Sequence, residues 1–475
     1  MDDPAGHAPD GGLHGLSRRD HGLGGYVPLA GTTTEMRPIR AGYGPAPHDP
    51  GIRADVRIGR VKSRSRGCAR HKETDDDDKK PTRRRRGSSG AGVGGCSSSA
   101  PGASGEIVIG AIGSYTGRTA ATIGPAPDGI QAWAQAVNDA GGINGKKVKL
   151  LVEDDAGNAT SALAKVKQLV ERDHVIAIVS DNSVSTPAWA QYVEQKQIPV
   201  LGGFALTPPF SESAMFFPTG ASYITQTYAE IEVAKSFGPK VASYVCAESP
   251  NCAALSALQN KVVTDAGVDL VINQTASSTA PSYVPQCQAA KDAGANAMII
   301  KVPVRAVAEQ CRKLGMQLGF VSGGGNVTAD VLTSDAAQGL KNVDDSYPLF
   351  IDAIAEKTDS GRAFQAFVAK YAPTVRGKVS PFFSAAYIHG KLFEAAVEAS
   401  HSDEVTSASI LEGRYALPPD FTLDGLTAPL NYQTGQPTVV NCAYVDEIKN
   451  GAWAPGDQLQ VCAPQALVNR LAQQK

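Results

Sequence analysis

Two α/β lobes, each built on an open, parallel, Rossmann-like sheet, are the fold this sequence predicts, and three observations lead there. From Glu106 onward, short apolar runs alternate with amphipathic segments, as in parallel strands joined by crossover helices. The same rhythm restarts after Gly220, so a second sheet follows the first. A chain of 475 residues, 42% of them hydrophobic, is also too long for one ordinary domain and apolar enough for two cores.

The elements follow in order. The first strand is Ile107 to Ile112, leading into the turn-rich loop Gly113-Ser114-Tyr115-Thr116-Gly117. A helix from about Asp128 to Ala140 stops at Gly141-Gly142, because glycine takes the left-handed conformation that ends helices. A strand at Lys147 to Glu153, a helix near Ser161 to Arg172 and an unbroken apolar strand, Val175 to Val179, come next; such a run fits a strand covered on both faces. A helix from Pro187, a strand at Ile198 to Leu201 and the loop Gly202 to Pro209 complete the first series.

The second series begins with a helix around Ile224 to Phe237 and a strand at Val241 to Val245. It continues as helix Ala253 to Ala266, strand Leu270 to Ile272, helix Ser282 to Ala293, strand Ala297 to Lys301 and helix Arg305 to Leu314. Two further helices, near Asp359 to Tyr371 and Pro381 to Ser400, return the chain to the first lobe. Thr438 to Val445 and Gln458 to Val461, around Asn450-Gly451, read as a hairpin.

Residues 1–105 have a different composition, crowded with Gly, Pro, His, Arg and Ser and without sustained periodicity, and they read as a disordered tail. Within it Val93-Gly94-Gly95-Cys96, followed by three serines, resembles a bacterial lipobox, which marks Cys96 as a candidate lipidation site. The basic run Arg83 to Arg86 would be its n-region, but Gly87 to Gly92 supply almost none of the apolar stretch such a signal needs. Ser17-Arg18-Arg19 has part of a twin-arginine motif with an equally thin sequel. A start codon assigned too far upstream would also produce such a stretch.

Six of the eight cysteines lie in the folded part and none forms a CxxC pair. Cys246 ends a strand and Cys252 opens the next helix; Cys287 and Cys311 lie on successive helices flanking one strand; Cys442 and Cys462 oppose each other across the hairpin. Three short-range disulfides are geometrically open, each contributing about 2–4 kcal/mol and implying an oxidising compartment. Buried free thiols are the alternative.

A net charge of -2 gives no general attraction to nucleic acid or to an anionic membrane, and no run approaches the roughly 20 apolar residues of a membrane span. No GxSxG, HExxH or Walker A sequence is present. His174, His389 and His401 have no second ligand at a metal-binding offset, so neither catalysis, a metal nor a cofactor is expected.

Several motifs then agree with one family. Ile107-Val108-Ile109-Gly110 through Thr116-Gly117, Asn138-Asp139-Ala140-Gly141-Gly142-Ile143-Asn144-Gly145 and Val152-Glu153-Asp154-Asp155-Ala156-Gly157 resemble the branched-chain amino-acid and amide binding proteins, the type I periplasmic binding proteins. The resemblance covers residues 106 to about 465. It implies two lobes, 106–221 plus 348–430 and 222–347 plus 431–475, joined by three crossings near Gly220 to Ser222, Ser346 to Leu349 and Pro429 to Tyr432. The ligand is expected in the cleft between them, where open α/β sheets present the carboxyl ends of their strands.

The resemblance also implies site residues. Ser183, with Ser185 and Thr186, falls where the family holds a ligand carboxylate, although capping of the helix that starts at Pro187 would explain them equally well. Tyr115 lies on the first loop, and Phe204, Ala205, Leu206 and Thr207 match the loop after the fourth strand. In the second lobe Gly324, followed by Asn326, replaces the acid that pairs with an amino-acid ammonium, so a zwitterionic aliphatic amino acid fits only if Glu248 substitutes. Lys301 either meets an anion or is a solvated rim residue. The function implied is an extracytoplasmic solute receptor, monomeric and at most lipid-anchored, that captures an amino-acid-like, amide or carboxylate ligand by hinge closure for an ABC permease. A ligand-sensing domain for a signalling partner, or an enzyme that recruited the cleft, are the alternatives.

Overall fold

The computed structural model describes residues 105–248 and 250–472. The expected tail and its candidate lipidation site, Cys96, lie outside the described residues.

Two sheets form, as the alternation predicts. The first holds β1 (Glu106–Gly113), β2 (Lys147–Asp154), β3 (Ile178–Asn182), β4 (Val200–Gly203) and β5 (Phe216–Phe217) in the order β2-β1-β3-β4-β5, all parallel. The second holds β6 (Lys240–Cys246), β7 (Asp269–Ala276), β8 (Ala297–Lys301), β9 (Gly319–Gly323), β10 (Lys341–Asp344), β11 (Cys442–Lys449) and β12 (Ala452–Cys462). Its order is β12-β11-β10-β9-β8-β6-β7; β6 to β10 are parallel, whereas the β11–β12 hairpin joins antiparallel. The hairpin turns at Asn450 and Gly451, both at positive φ, as a two-residue turn of matching twist requires.

Two strand positions differ from expectation. The third strand begins three residues later, at Ile178, and Ser180 within it sits at φ 71° in a bulge that breaks the register against β1. The fourth strand is displaced likewise, from Ile198 to Val200, and runs through Gly203. Three strands were not expected at all: β5 is two residues long, β9 reads Gly-Phe-Val-Ser-Gly, and β10 carries polar Lys, Asn and Asp around one valine.

The recognition motifs have local physical roles. Asn138, in the last turn of the Ala126–Asp139 helix, donates from Nδ2 to the Val148 carbonyl (2.8 Å) and accepts the Val148 N–H at Oδ1 (2.7 Å), tying the helix end to β2. Gly142, at φ 86°, donates its N–H to the Val137 carbonyl (2.9 Å) and closes that helix. Asp154 accepts the N–H groups of Tyr115 (3.0 Å) and Ala156 (2.9 Å), so its side chain shapes the loop after β1.

The Pro381–Ser400 helix starts on the Ser380 cap, whose hydroxyl accepts the Phe383 N–H, and packs on β3, β4 and the Ala126–Asp139 helix. Close approach needs glycine at Gly129, where a Cβ would sit 2.4 Å from the Phe383 carbonyl oxygen. Three disulfides join Cys246 to Cys252, Cys287 to Cys311 and Cys442 to Cys462. The buried-thiol alternative is thereby excluded for these six residues.

Three segments connect the sheets and bond to one another. The Ala221 N–H donates to the Asp345 carbonyl (2.9 Å) and the Ser222 N–H to the Val440 carbonyl (3.3 Å), while the Tyr432 hydroxyl donates to the Pro218 carbonyl (2.8 Å).

Candidate functional site

A cavity of about 530 Å³ opens between the two sheets beside these connections. From the first sheet and its covering helix come Asn182, Phe204, Phe382 and His389; from the second come Gly325, Val327 and Trp453; the connecting segment adds Asp344 to Tyr347. Five aromatic side chains, Phe204, Tyr347, Phe350, Phe382 and Trp453, line it. Phe204 and Phe382 lie 5.8 Å apart between ring centroids, and Phe350 meets Trp453 edge-on at 5.6 Å.

Polar groups are concentrated on two walls. His389 is 1% exposed, and burial alone lowers its pKa to about 3, so the imidazole is neutral. Its Nδ1 lies 3.0 Å from Ser180 Oγ, which also accepts from Asn182 Nδ2 (2.9 Å), whereas Nε2 has no partner among the described residues. The bulge at Ser180 aims that hydroxyl at the helix.

On the connecting wall, Asp345 is pushed up to about 7 by burial, with the Asp344 charge adding to it against hydrogen bonds from the Ala205 N–H and Ser346. Asp344 is 9% exposed and faces Asp446; burial raises both carboxyls, and Asp446 holds the proton between them. Asp344 Oδ2 has no donor among the described residues.

Of the eleven residues implied by the resemblance, the structure brings only Phe204 to the cavity wall, though Asn182 and Gly325 are next-door neighbours of Ser183 and Gly324. Ser183 is fully buried; its hydroxyl donates to Asp155 and accepts the Ser185 N–H (2.9 Å). Thr186 donates to Asp181 Oδ2 (2.8 Å), and Ser185 is likewise buried. Asp181 is raised to about 8 by burial, against hydrogen bonds from the Ser183 N–H and Thr186. The cradle expected for a ligand carboxylate thus serves two carboxylates of the protein itself.

The remaining positions are engaged within the protein in the same way. Lys301 is neither a rim residue nor free for an anion: it is 7% exposed, ion-paired with the buried Glu230, and donates to the Gly323 carbonyl (3.2 Å). Leu206 fills the space beside Gly324, where a Cβ would stand 2.9 Å from Leu206 Cδ1. Asn326 turns back to the Gly323 carbonyl (2.5 Å). Ala205 and Thr207 are buried, and Tyr115 lies under Gly113 with its hydroxyl pKa pushed far up by burial. Glu248 does not substitute for the missing acid, since it accepts from Ser277 (2.9 Å) and from the Ser278 N–H (2.6 Å). Burial opposes its ionisation, but those hydrogen bonds prevail and hold it at about 2.

Sequence reasoning passed over Asp344, Asp345 and Asn182, and considered His389 only as a catalytic base or metal ligand. The signal that could have found the first two is an acid pair, Asp344-Asp345, opening a segment that continues into the apolar run Tyr347 to Ile351. Among the described residues no grouping of His, Cys, Asp and Glu could hold a metal ion, and no helix is long and apolar enough to cross a membrane.

This arrangement, two sheets with a cavity between them and three connecting segments, is that of a ligand-binding protein of the periplasmic type. Residues 106–452 match the family model described as periplasmic binding protein, and the chain belongs to that family. An amino acid binding protein of Pseudomonas aeruginosa is 37% identical over 105 residues, 22% of this chain and 26% of that protein, so the match spans about a quarter of the relative's length. Among solved structures, a branched-chain amino acid ABC transporter protein of Thermus thermophilus with bound valine superposes with a TM-score of 0.65 at 17% identity, covering 77% of this chain and 98% of that one. A solute binding protein of R. palustris in complex with 4-hydroxybenzoate gives 0.61 at 19% identity, over 77% and 100%. At these identities the likeness is one of fold.

Proposed function

We propose that this protein is the extracytoplasmic receptor of an ABC importer, capturing a small ligand in the cavity between its sheets and presenting the closed form to a permease. The observation that carries the reading is the cavity itself, whose walls come from both sheets and from the segments joining them. A ligand held there contacts both lobes at once, and that differential affinity is what populates the closed state. The lobes in this reading are 106–221 plus 348–430 and 222–347 plus 431–475, turning about the bonded connections at Ala221, Asp345 and Val440. Three disulfides fit maturation in an oxidising compartment. The protein binds without turnover and acts as a monomer, with a lipid on Cys96 as its anchor.

Thermal unfolding with amino acids, amides, carboxylates, amines and sugars tests the receptor. A ligand at a hundred times its Kd stabilises by about 2.7 kcal/mol, and its binding should shrink the radius of gyration in solution scattering. If no compound in the panel raises the melting temperature, the reading fails.

A further inference from the structure

The placement of charge in the cavity narrows the ligand class. Resting on the receptor reading, we propose that the cavity takes a ligand with a cationic nitrogen on an apolar body, the cation being held by Asp344 and Asp345.

Four observations converge. Asp344 and Asp345 both border the cavity, and Asp344 Oδ2 has no donor among the described residues. The cations buried among the described residues are otherwise engaged: Lys301 is paired with Glu230, and the Arg414 guanidinium is stacked between Phe217 and Tyr415 at 3.3 and 3.2 Å from their ring centroids. Lys378 borders the cavity only as an exposed side chain. On the opposite wall, independently of the acids, His389 borders the cavity and its buried Nε2 has no partner among the described residues, which leaves it for a second polar atom of the ligand.

The physical argument is one of compensation. Two neighbouring carboxyls in a low-dielectric wall repel each other, and each is driven toward its neutral form unless a cation lies between them. An ammonium or amidinium entering there supplies donors to Asp344 Oδ2 and relieves the repulsion with Asp345. Phe204, Phe382, Tyr347, Phe350 and Trp453 line the cavity and offer the apolar body its contact. A ligand carboxylate meets the reverse, a wall of like charge. The acid missing at Gly324 is in this way replaced from a different strand, β10 and the residue that follows it.

The test ranks matched ligands on the intact, oxidised protein by isothermal titration calorimetry: 2-phenylethylamine, hexylamine and benzamidine against 2-phenylethanol, hexanol, benzamide and phenylacetate. At least one amine or amidine should bind about tenfold or more tightly than its neutral counterpart, a difference of about 1.4 kcal/mol. Asp345→Asn should remove that preference by lowering the affinity for the amine or amidine about tenfold, toward that of its neutral counterpart. If Asp345→Asn loses its cooperative melt, Asp344→Asn and the wild-type ranking decide. Equal or tighter binding of the alcohols, amides or phenylacetate overturns the cation site and leaves the receptor standing, whereas silence across this panel and the broader one overturns both.

Discussion

Two groups of acids, one at the ends of β2 and β3 and one on β10, β11 and the residue after β10, are supplied with hydrogen bonds differently. At the carboxyl ends of β1 to β3, Asp155 and Asp181 are fully buried and fully supplied: Asp155 accepts from Ser114 Oγ (2.7 Å), the Gly157 N–H (2.7 Å) and Ser183, and Asp181 from the Ser183 N–H (3.0 Å) and Thr186. Across the gap, Asp345 accepts from the Ala205 N–H and Ser346 and Asp446 from Asn342, but one oxygen of Asp344 has no donor among the described residues. The first group fixes loops, because the bonds it accepts come from the turns after β1, β2 and β3. The second keeps unspent capacity for hydrogen bonding at the edge of a cavity. Burial alone therefore does not mark a recognition site; what sets Asp344 apart is an unpartnered oxygen on a residue that borders the cavity.

The largest effect should come from breaking the satisfied group. Asp155→Ala strands three donors, each worth about 1–3 kcal/mol when left unpaired, so denaturant unfolding should show a loss of at least about 3 kcal/mol. A loss under about 1 kcal/mol would mean that these loops are held by something else.

The next effect is in pH. In the folded state Asp181 titrates at about 8 instead of its ordinary 3.8, so between those values the native protein keeps a proton that the unfolded chain has released. By linkage its contribution to stability is intact below about pH 4 and declines as pH rises toward about 8. Asp181→Asn should flatten the fall in melting temperature over that window, and an unchanged slope would show that Asp181 is ionised throughout. His389 works on the acid side: folded at about 3 against 6.5, it weakens the native state as pH drops below about 6.5.

At the crowded group the expected cost is smaller. Asp344→Asn gives Asp446 a neutral donor and removes a like charge, so stability should move by no more than about 1 kcal/mol in either direction. A loss of several kcal/mol would place Asp344 in the same class as Asp155.

The smallest effect concerns Ser183. Ser183→Ala removes one donor to Asp155 and should cost about 1 kcal/mol, with ligand affinity within about threefold of wild type. A tenfold loss of affinity would return the β3 loop to the ligand and erase the contrast between the two groups.

The sheets and most helices could be read from the chain, because their pattern is set by local periodicity. Asp359–Tyr371 and Pro381–Ser400 form as predicted, since each starts on a Ser or Thr cap and carries a continuous apolar face. What could not be read is set by tertiary context. Gly319–Gly323 is a strand only because β8 and β10 pair with it, and the bulge at Ser180 depends on its partner strand. The site was harder still. Whether Ser183 greets a ligand or Asp155 depends on distances between three loops, and Lys301 is silenced by Glu230, 71 residues away in the chain.

The two glycines after β9 bear on how such a receptor can change its preference over evolutionary time. Gly324 and Gly325 sit at φ 63° and 77°, where any side chain costs about 1–2 kcal/mol, and an acid at 324 would also press on Leu206 and fall within reach of Lys301. A single mutation there yields a strained residue captured by its own lysine. Any lineage moving from this chain toward zwitterionic substrates would therefore have to reshape the loop, the leucine and the lysine together, and the shorter adaptive paths lead through other positions.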